Sequence, residues 1–149
     1  MIDMRIRQRW QSLSPAQTIE RGRFIGRTLR PGTVVALLGE LGSGKTTFVK
    51  GLALGLGVQD EREVRSPTFV IFHIYKGRVP LYHFDLYRLD GTADLDGIGM
   101  DEYLADPNAV SVIEWADRAP DVSEQADIKI ELLRSGEKTR IIRMDRRGR

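Results

Sequence analysis

The rhythm of apolar and polar positions changes several times along the chain, and each rhythm predicts an element. Residues Met4 to Trp10 alternate, with Arg5, Arg7 and Arg9 on one side, as in a short edge strand that turns one face to water. Ser14 can cap a helix and Pro15 suits its first position, so a helix is expected from Pro15 to about Leu29, stopped by Pro31 and Gly32. Thr33 to Leu38 reads TVVALL, an unbroken apolar run rich in β-branched residues, as in a strand buried on both faces of a parallel sheet. A second helix is expected from Gly44 to about Leu56, where Gly51, Ala53 and Gly55 would permit close approach to the sheet.

Thr68 to Tyr75 and Val79 to Tyr87 read as a hairpin about Lys76, Gly77 and Arg78, and Asp127 to Leu133 and Thr139 to Met144 as another about Ser135, Gly136 and Glu137. Between them lie a polar loop, Asp90 to Gly99, a short helix around Met100 to Ala105, and a buried strand, Ala109 to Glu114. The pattern predicts a three-layer α/β domain whose mixed sheet is parallel at its centre and carries antiparallel hairpins at its margins.

Composition narrows the classes. The 149 residues, 41% hydrophobic and 30% charged, suit one soluble globular domain spanning 1–149. There is no cysteine, which rules out disulfides and thiolate metal sites; with no signal-peptide pattern and no span long enough for a bilayer, a cytoplasmic protein without membrane insertion is expected. A formal net charge of +2 says little about nucleic acid. Arginines nevertheless gather at Arg5, Arg7 and Arg9 and at Arg140, Arg143, Arg146, Arg147 and Arg149. They could meet an acidic partner or RNA, or form a solvated strand face and, over 145–149, a flexible basic tail.

The most informative segment is GELGSGKT, Gly39 to Thr46, which fits G-x-x-x-x-G-K-[ST] between an expected buried strand and an expected helix. This is the signature of a P-loop NTPase core. Gly39, Gly42 and Gly44 let the backbone curl so that N–H groups face a phosphate at a helix N-terminus. Lys45 would reach the β- and γ-phosphates and the Thr46 hydroxyl would ligate magnesium, so ATP with Mg2+ is the expected ligand pair. The expected nucleotide contacts are Glu40, Leu41, Gly42, Ser43, Gly44, Lys45, Thr46 and Thr47 in the loop, with Asp117 further along.

Such sites need an acidic group near the metal, usually at the end of a neighbouring strand. Glu114 ends the run AVSVIE and is the first candidate, although a strand-ending surface glutamate would look the same. Asp85, in YHFDLYR, is the second: alternation puts His83, Asp85 and Tyr87 on one face and Tyr82, Phe84 and Leu86 on the other. It could orient water or metal-bound water, or be a structural aspartate paired with Arg88 or a loop backbone. His73 and His83 lack a companion cluster and are assigned packing or hydrogen-bonding roles. Thr68, after Ser66 and Pro67, could sense a γ-phosphate or simply start a strand. Trp115 and Asp117 could contact nucleotide or a partner, and packing alone would also explain Trp115.

Together GELGSGKTT, SPTF, YHFDLYRL and VIEWAD, in this order and spacing, closely resemble the TsaE (YjeE) family, the ATPase subunit of the bacterial tRNA threonylcarbamoyladenosine machinery. The resemblance covers Thr18 to Asp117, and the chain departs from the family pattern at Glu40, where aspartate is common. It implies that Lys45 holds phosphate, that Thr46 and Glu114 serve magnesium, and that Asp85 supports hydrolysis, which makes Lys45, Asp85 and Glu114 the expected catalytic set. It also implies work with TsaD and TsaB, TsaD carrying the threonylcarbamoyl transfer to the adenosine beside the anticodon, with tRNA met through that complex and ATP turnover driving or resetting it.

Two other readings remain at this point. A small-molecule kinase could use Asp85 as a base, though no substrate-binding insertion or arginine-rich lid is visible. A nucleotide-dependent binding module with negligible turnover would share every motif above. A GTPase is disfavoured: D-x-x-G at Asp94 to Gly97 is weak, and the sole asparagine, Asn108, is followed by Ala109 rather than the lysine of N-K-x-D.

Overall fold

Ser14 does cap the first helix, its hydroxyl accepting the Gln17 N–H at 3.1 Å while the Gln17 side chain accepts the Leu13 N–H at 2.8 Å. A computed structural model describes residues 5–65, 72–88 and 99–148. Their strands are β1 (Arg5–Ser12), β2 (Val34–Leu38), β3 (Phe72–Tyr75), β4 (Leu81–Asp85), β5 (Val110–Glu114), β6 (Ile128–Arg134) and β7 (Arg140–Arg147). The helices are α1 (Pro15–Thr28), α2 (Lys45–Gly55), α3 (Met100–Leu104) and α4 (Pro120–Gln125), with 3-10 turns at Glu61–Glu63 and Ala116–Arg118. Among the described residues no helix is long and apolar enough to cross a membrane. Thr68, the SPTF segment and the Asp94 to Gly97 motif lie outside the described residues, as does most of the expected loop from Asp90.

All seven strands form one sheet in the order β1-β7-β6-β2-β5-β4-β3. The β6-β2, β2-β5 and β5-β4 pairings are parallel, and the β1-β7, β7-β6 and β3-β4 pairings antiparallel. The mixed sheet with a parallel centre and antiparallel margins is therefore the one read from the sequence. One face carries Val35, Leu37, Val112 and Ile130 against Phe48, Val49 and Leu52 of α2 and Ile25 of α1. The other carries Ala36, Ile113 and Phe84 against Met100, Ala116 and Ala126. Side chains alternate across the pleat, so each central strand feeds both cores and needs its continuous apolar sequence.

Two expectations need correction, and one element has no sequence signal. The glycines of α2 face α1 rather than the sheet: a Cβ on Gly51 would lie 2.1 Å from the Ile19 carbonyl oxygen, and one on Gly22 would lie 2.5 Å from that of Phe48. The two helices cross with their backbones in contact, a separation that a methyl group on either side would open. The basic C-terminus is strand as far as Arg147, which pairs with Arg5, so the supposed tail from 145 is held by two ladders of hydrogen bonds. Finally, α4 was not foreseen, because six residues, PDVSEQ, are too few to display a helical period.

Candidate active site

The carboxyl ends of β2, β5 and β4 share one edge of the sheet, with Leu37 beside Glu114 and Glu114 beside Asp85. At that edge β2 runs into the glycine loop and α2 leaves it. Gly39 has φ 147°, and a Cβ there would sit 2.6 Å from the Leu132 carbonyl oxygen, so only glycine lets the loop start this close to β6. Gly44, the N-cap of α2, has φ 99° and no side-chain capping bond. The Ser43 hydroxyl is buried without a hydrogen-bond partner among the described residues, directly inside the loop.

Lys45 is buried, and its Nζ donates to the carbonyl oxygens of Gly39 at 2.6 Å and Glu40 at 3.0 Å. The ammonium lies 4.0 Å from the centroid of the Trp115 indole, close enough for a cation–π attraction. Burial pushes the lysine below its ordinary value of 10.5, opposed by the negative charges of Glu114, Asp85 and Asp117. Trp115 has φ 58°, the one positive φ outside glycine among the described residues. An L residue held there costs about 1–2 kcal/mol, and the strain falls immediately after Glu114, where the chain must turn sharply out of β5.

Glu114 is buried, so its sequence reading as a surface residue fails. Oε1 accepts the Thr46 hydroxyl at 2.9 Å and Oε2 meets His83 Nε2 at 2.5 Å. His83 Nδ1 in turn lies 3.2 Å from the Tyr75 hydroxyl, which donates to the Arg65 carbonyl and accepts the Arg65 N–H. A line of hydrogen bonds thus runs from the backbone at Arg65 through Tyr75, His83 and Glu114 to Thr46. Asp85 is buried beside Glu114 in the parallel register, and its Oδ1 accepts the Tyr87 N–H at 2.9 Å, so it does bond a loop backbone as one reading had it.

Lys45, Thr46, Glu114 and Asp85 are therefore brought together at one end of the sheet. Glu40 and Leu41 are exposed at the loop's outer edge and Thr47 is half-buried on the first turn of α2. Glu40, Leu41 and Ser43 join Leu38, Asp117 and Arg134 around a cleft of about 600 Å³. Oxygen donors from a hydroxyl and a carboxylate, side by side beside a buried ammonium, are the set a hard divalent cation shared with a phosphate takes, so the residues fit magnesium and a nucleotide phosphate.

The hydrogen-bonding role expected of His83 holds; its partners, Glu114 and Tyr75, are what the sequence conceals. The one signal for them is the place of His83 two residues before Asp85 on the same strand face. That signal acquires meaning only once β4 is known to lie next to β5.

The fold and the site define an α/β protein of the doubly wound type, with a glycine loop opening beside a buried lysine and a hydroxyl–carboxylate pair. A family model described as threonylcarbamoyl adenosine biosynthesis protein TsaE matches residues 12–142, and the chain belongs to the TsaE family. It is 45% identical over 121 residues to the tRNA threonylcarbamoyladenosine biosynthesis protein TsaE of Treponema pallidum, covering 81% of this chain and 87% of that one. To the protein of the same name from Bacillus subtilis it is 38% identical over 135 residues, covering 90% and 82%. The crystal structure of YdiB from Bacillus subtilis superposes with a TM-score of 0.77 at 32% identity, covering 97% of this chain and 88% of that one.

Proposed function

We propose that this chain is a P-loop ATPase that binds ATP with magnesium and whose hydrolysis supports tRNA threonylcarbamoyladenosine modification, in the cytoplasm and in complex with TsaD and TsaB. One observation carries the reading: Lys45, Thr46 and Glu114 converge at the mouth of the glycine loop, with the Thr46 hydroxyl 2.9 Å from the carboxylate. The names of the relatives support the tRNA modification, and the two partners are what the resemblance of the motifs to the family implies.

In this reading the N–H groups of the loop and the first turn of α2 bind the phosphates, and Lys45 exchanges its carbonyl partners for β- and γ-phosphate oxygens. Thr46 and Glu114 hold the metal, and His83 keeps the carboxylate aimed. Magnesium, when bound, offsets charge that builds on the phosphate oxygens during transfer. Asp85, one strand further out, orients the attacking water, a role that adds little to binding because the binding energy resides in the loop backbone and Lys45. The cleft lined by Leu38, Asp117 and Arg134 has room for the nucleoside.

Calorimetric titration with ADP and ATP, with and without magnesium, tests the reading. The parent chain is expected to bind both and Lys45→Ala to bind neither tightly while remaining folded. Unchanged affinity in folded Lys45→Ala would overturn it.

A further inference from the structure

The first residue of β7 is an arginine whose partners lie in two different parts of the molecule. Arg140 Nε donates to the Ser43 carbonyl at 3.0 Å and Nη2 to the Gly42 carbonyl at 3.0 Å. Its Nη1 faces the carbonyls of Gly136 at 3.1 Å, Glu137 at 3.3 Å and Thr139 at 2.8 Å. One planar guanidinium therefore joins the hairpin turn to the glycine loop, and all of these partners are neutral. The turn itself is braced, since Ser135 N–H donates to the Thr139 carbonyl and the two hydroxyls bond at 3.0 Å. The same hairpin touches the loop a second time where the Leu132 carbonyl faces Gly39.

The geometry matters because of how a peptide is built. Its C=O and N–H point in opposite directions, so drawing the Ser43 carbonyl toward β7 turns the Gly44 N–H toward the inside of the loop. A cation on the carbonyl also polarises that peptide and makes its N–H a stronger donor. The Ser43 N–H donates to the Glu40 carbonyl at 3.0 Å and so helps to hold the peptide before it, but among the described residues Arg140 is the only side chain that bonds the Ser43 carbonyl; Gly42 and Gly44 both have positive φ, and α2 has no side-chain cap. A glycine-rich loop left to itself would lose conformational freedom on binding phosphate, and prior restraint lowers that cost.

We propose that Arg140 is a positioning residue for nucleotide binding: braced by the carbonyls of the β6–β7 turn, its guanidinium holds the Gly42 and Ser43 carbonyls so that the Gly44 N–H is presented to the phosphates. This rests on the reading of the loop as a phosphate site, and it gives the C-terminal hairpin a role in that site. Arg140 is thereby separated from the other terminal arginines, with which its sequence position groups it.

Two measurements test it on the parent, Arg140→Gln and Arg140→Lys. In calorimetry with ADP, Arg140→Gln is expected to bind about tenfold more weakly, the size of effect that charge-assisted bonds to a loop can have. Arg140→Lys should recover only part of the loss, because one ammonium nitrogen cannot hold the loop carbonyls and those of the hairpin turn at once, as the three guanidinium nitrogens do. In amide hydrogen exchange without nucleotide, Gly44 should exchange faster in Arg140→Gln while β2 and β5 exchange as in the parent. Equal ADP affinity in parent and Arg140→Gln, full recovery by lysine, or faster exchange spread evenly over the chain would each overturn the proposal. A parent that does not bind ADP would instead overturn the reading of the loop, whatever its exchange pattern.

Discussion

His83 Nε2 lies 2.5 Å from Glu114 Oε2, with both side chains buried on the face of the sheet that carries α2. The other carboxylate oxygen belongs to Thr46, so the acid is aimed by the sheet at the first turn of the helix.

From this relationship His83→Ala should raise the magnesium needed for nucleotide binding, because the carboxylate loses the partner that orients it. Removing such supporting bonds costs about 10- to 100-fold in metal affinity. The folded state should lose about 1–3 kcal/mol as well, since Glu114 and the Tyr75 hydroxyl are left short of a buried partner. ADP affinity across a magnesium series, with a denaturant melt of each chain, checks both. A lower stability with an unchanged magnesium dependence would make the histidine a packing residue only.

Lys45 gives a pH dependence whose sign follows from its burial. Its folded-state value lies below the 10.5 it takes in the unfolded chain, so between the two the unfolded state binds more protons. Folding stability contributed by this group therefore rises as pH climbs from the lowered value to 10.5. Lys45→Met lacks the titration, so the stability of the parent relative to this variant should increase across the alkaline range. Urea unfolding of both chains from neutral pH upward measures it, and a difference that stays flat or falls would contradict the assigned direction.

Gly51→Ala should unfold the helix pair rather than the site. Its methyl group would meet the Ile19 carbonyl at 2.1 Å, and that oxygen is backbone, with no rotamer to escape into. Overpacking of this kind costs about 1–3 kcal/mol, to be read from a thermal or denaturant melt. Unaltered stability would mean that α1 and α2 do not pack as described.

What the sequence made legible was whatever repeats over a short distance. The run VVALL, the glycine loop after it and the helix beyond could be read together, and so could both hairpins and the glutamate closing VSVIE. What it concealed depends on neighbours that only the folded sheet supplies. His83 meets Glu114 because β4 lies parallel to β5, and Arg140 meets the loop because β6 and β7 return beside β2. Glycine spacing in α2 was visible, whereas its partner was not, since a small-residue stripe looks the same whether it faces a sheet or a helix. The positive φ at Trp115 had no sequence signal, because tryptophan is not a residue that marks such turns.

Turnover of ATP by this site as a subunit is read from phosphate release from ATP and magnesium, measured for the chain alone and with TsaD, TsaB and tRNA, in parent and Asp85→Ala. The parent's rate is expected to rise when the partners are added, and Asp85→Ala is expected to bind ATP as the parent does while releasing little phosphate under either condition. Full activity in isolation that the partners leave unchanged, or an Asp85→Ala chain as fast as the parent, would contradict it.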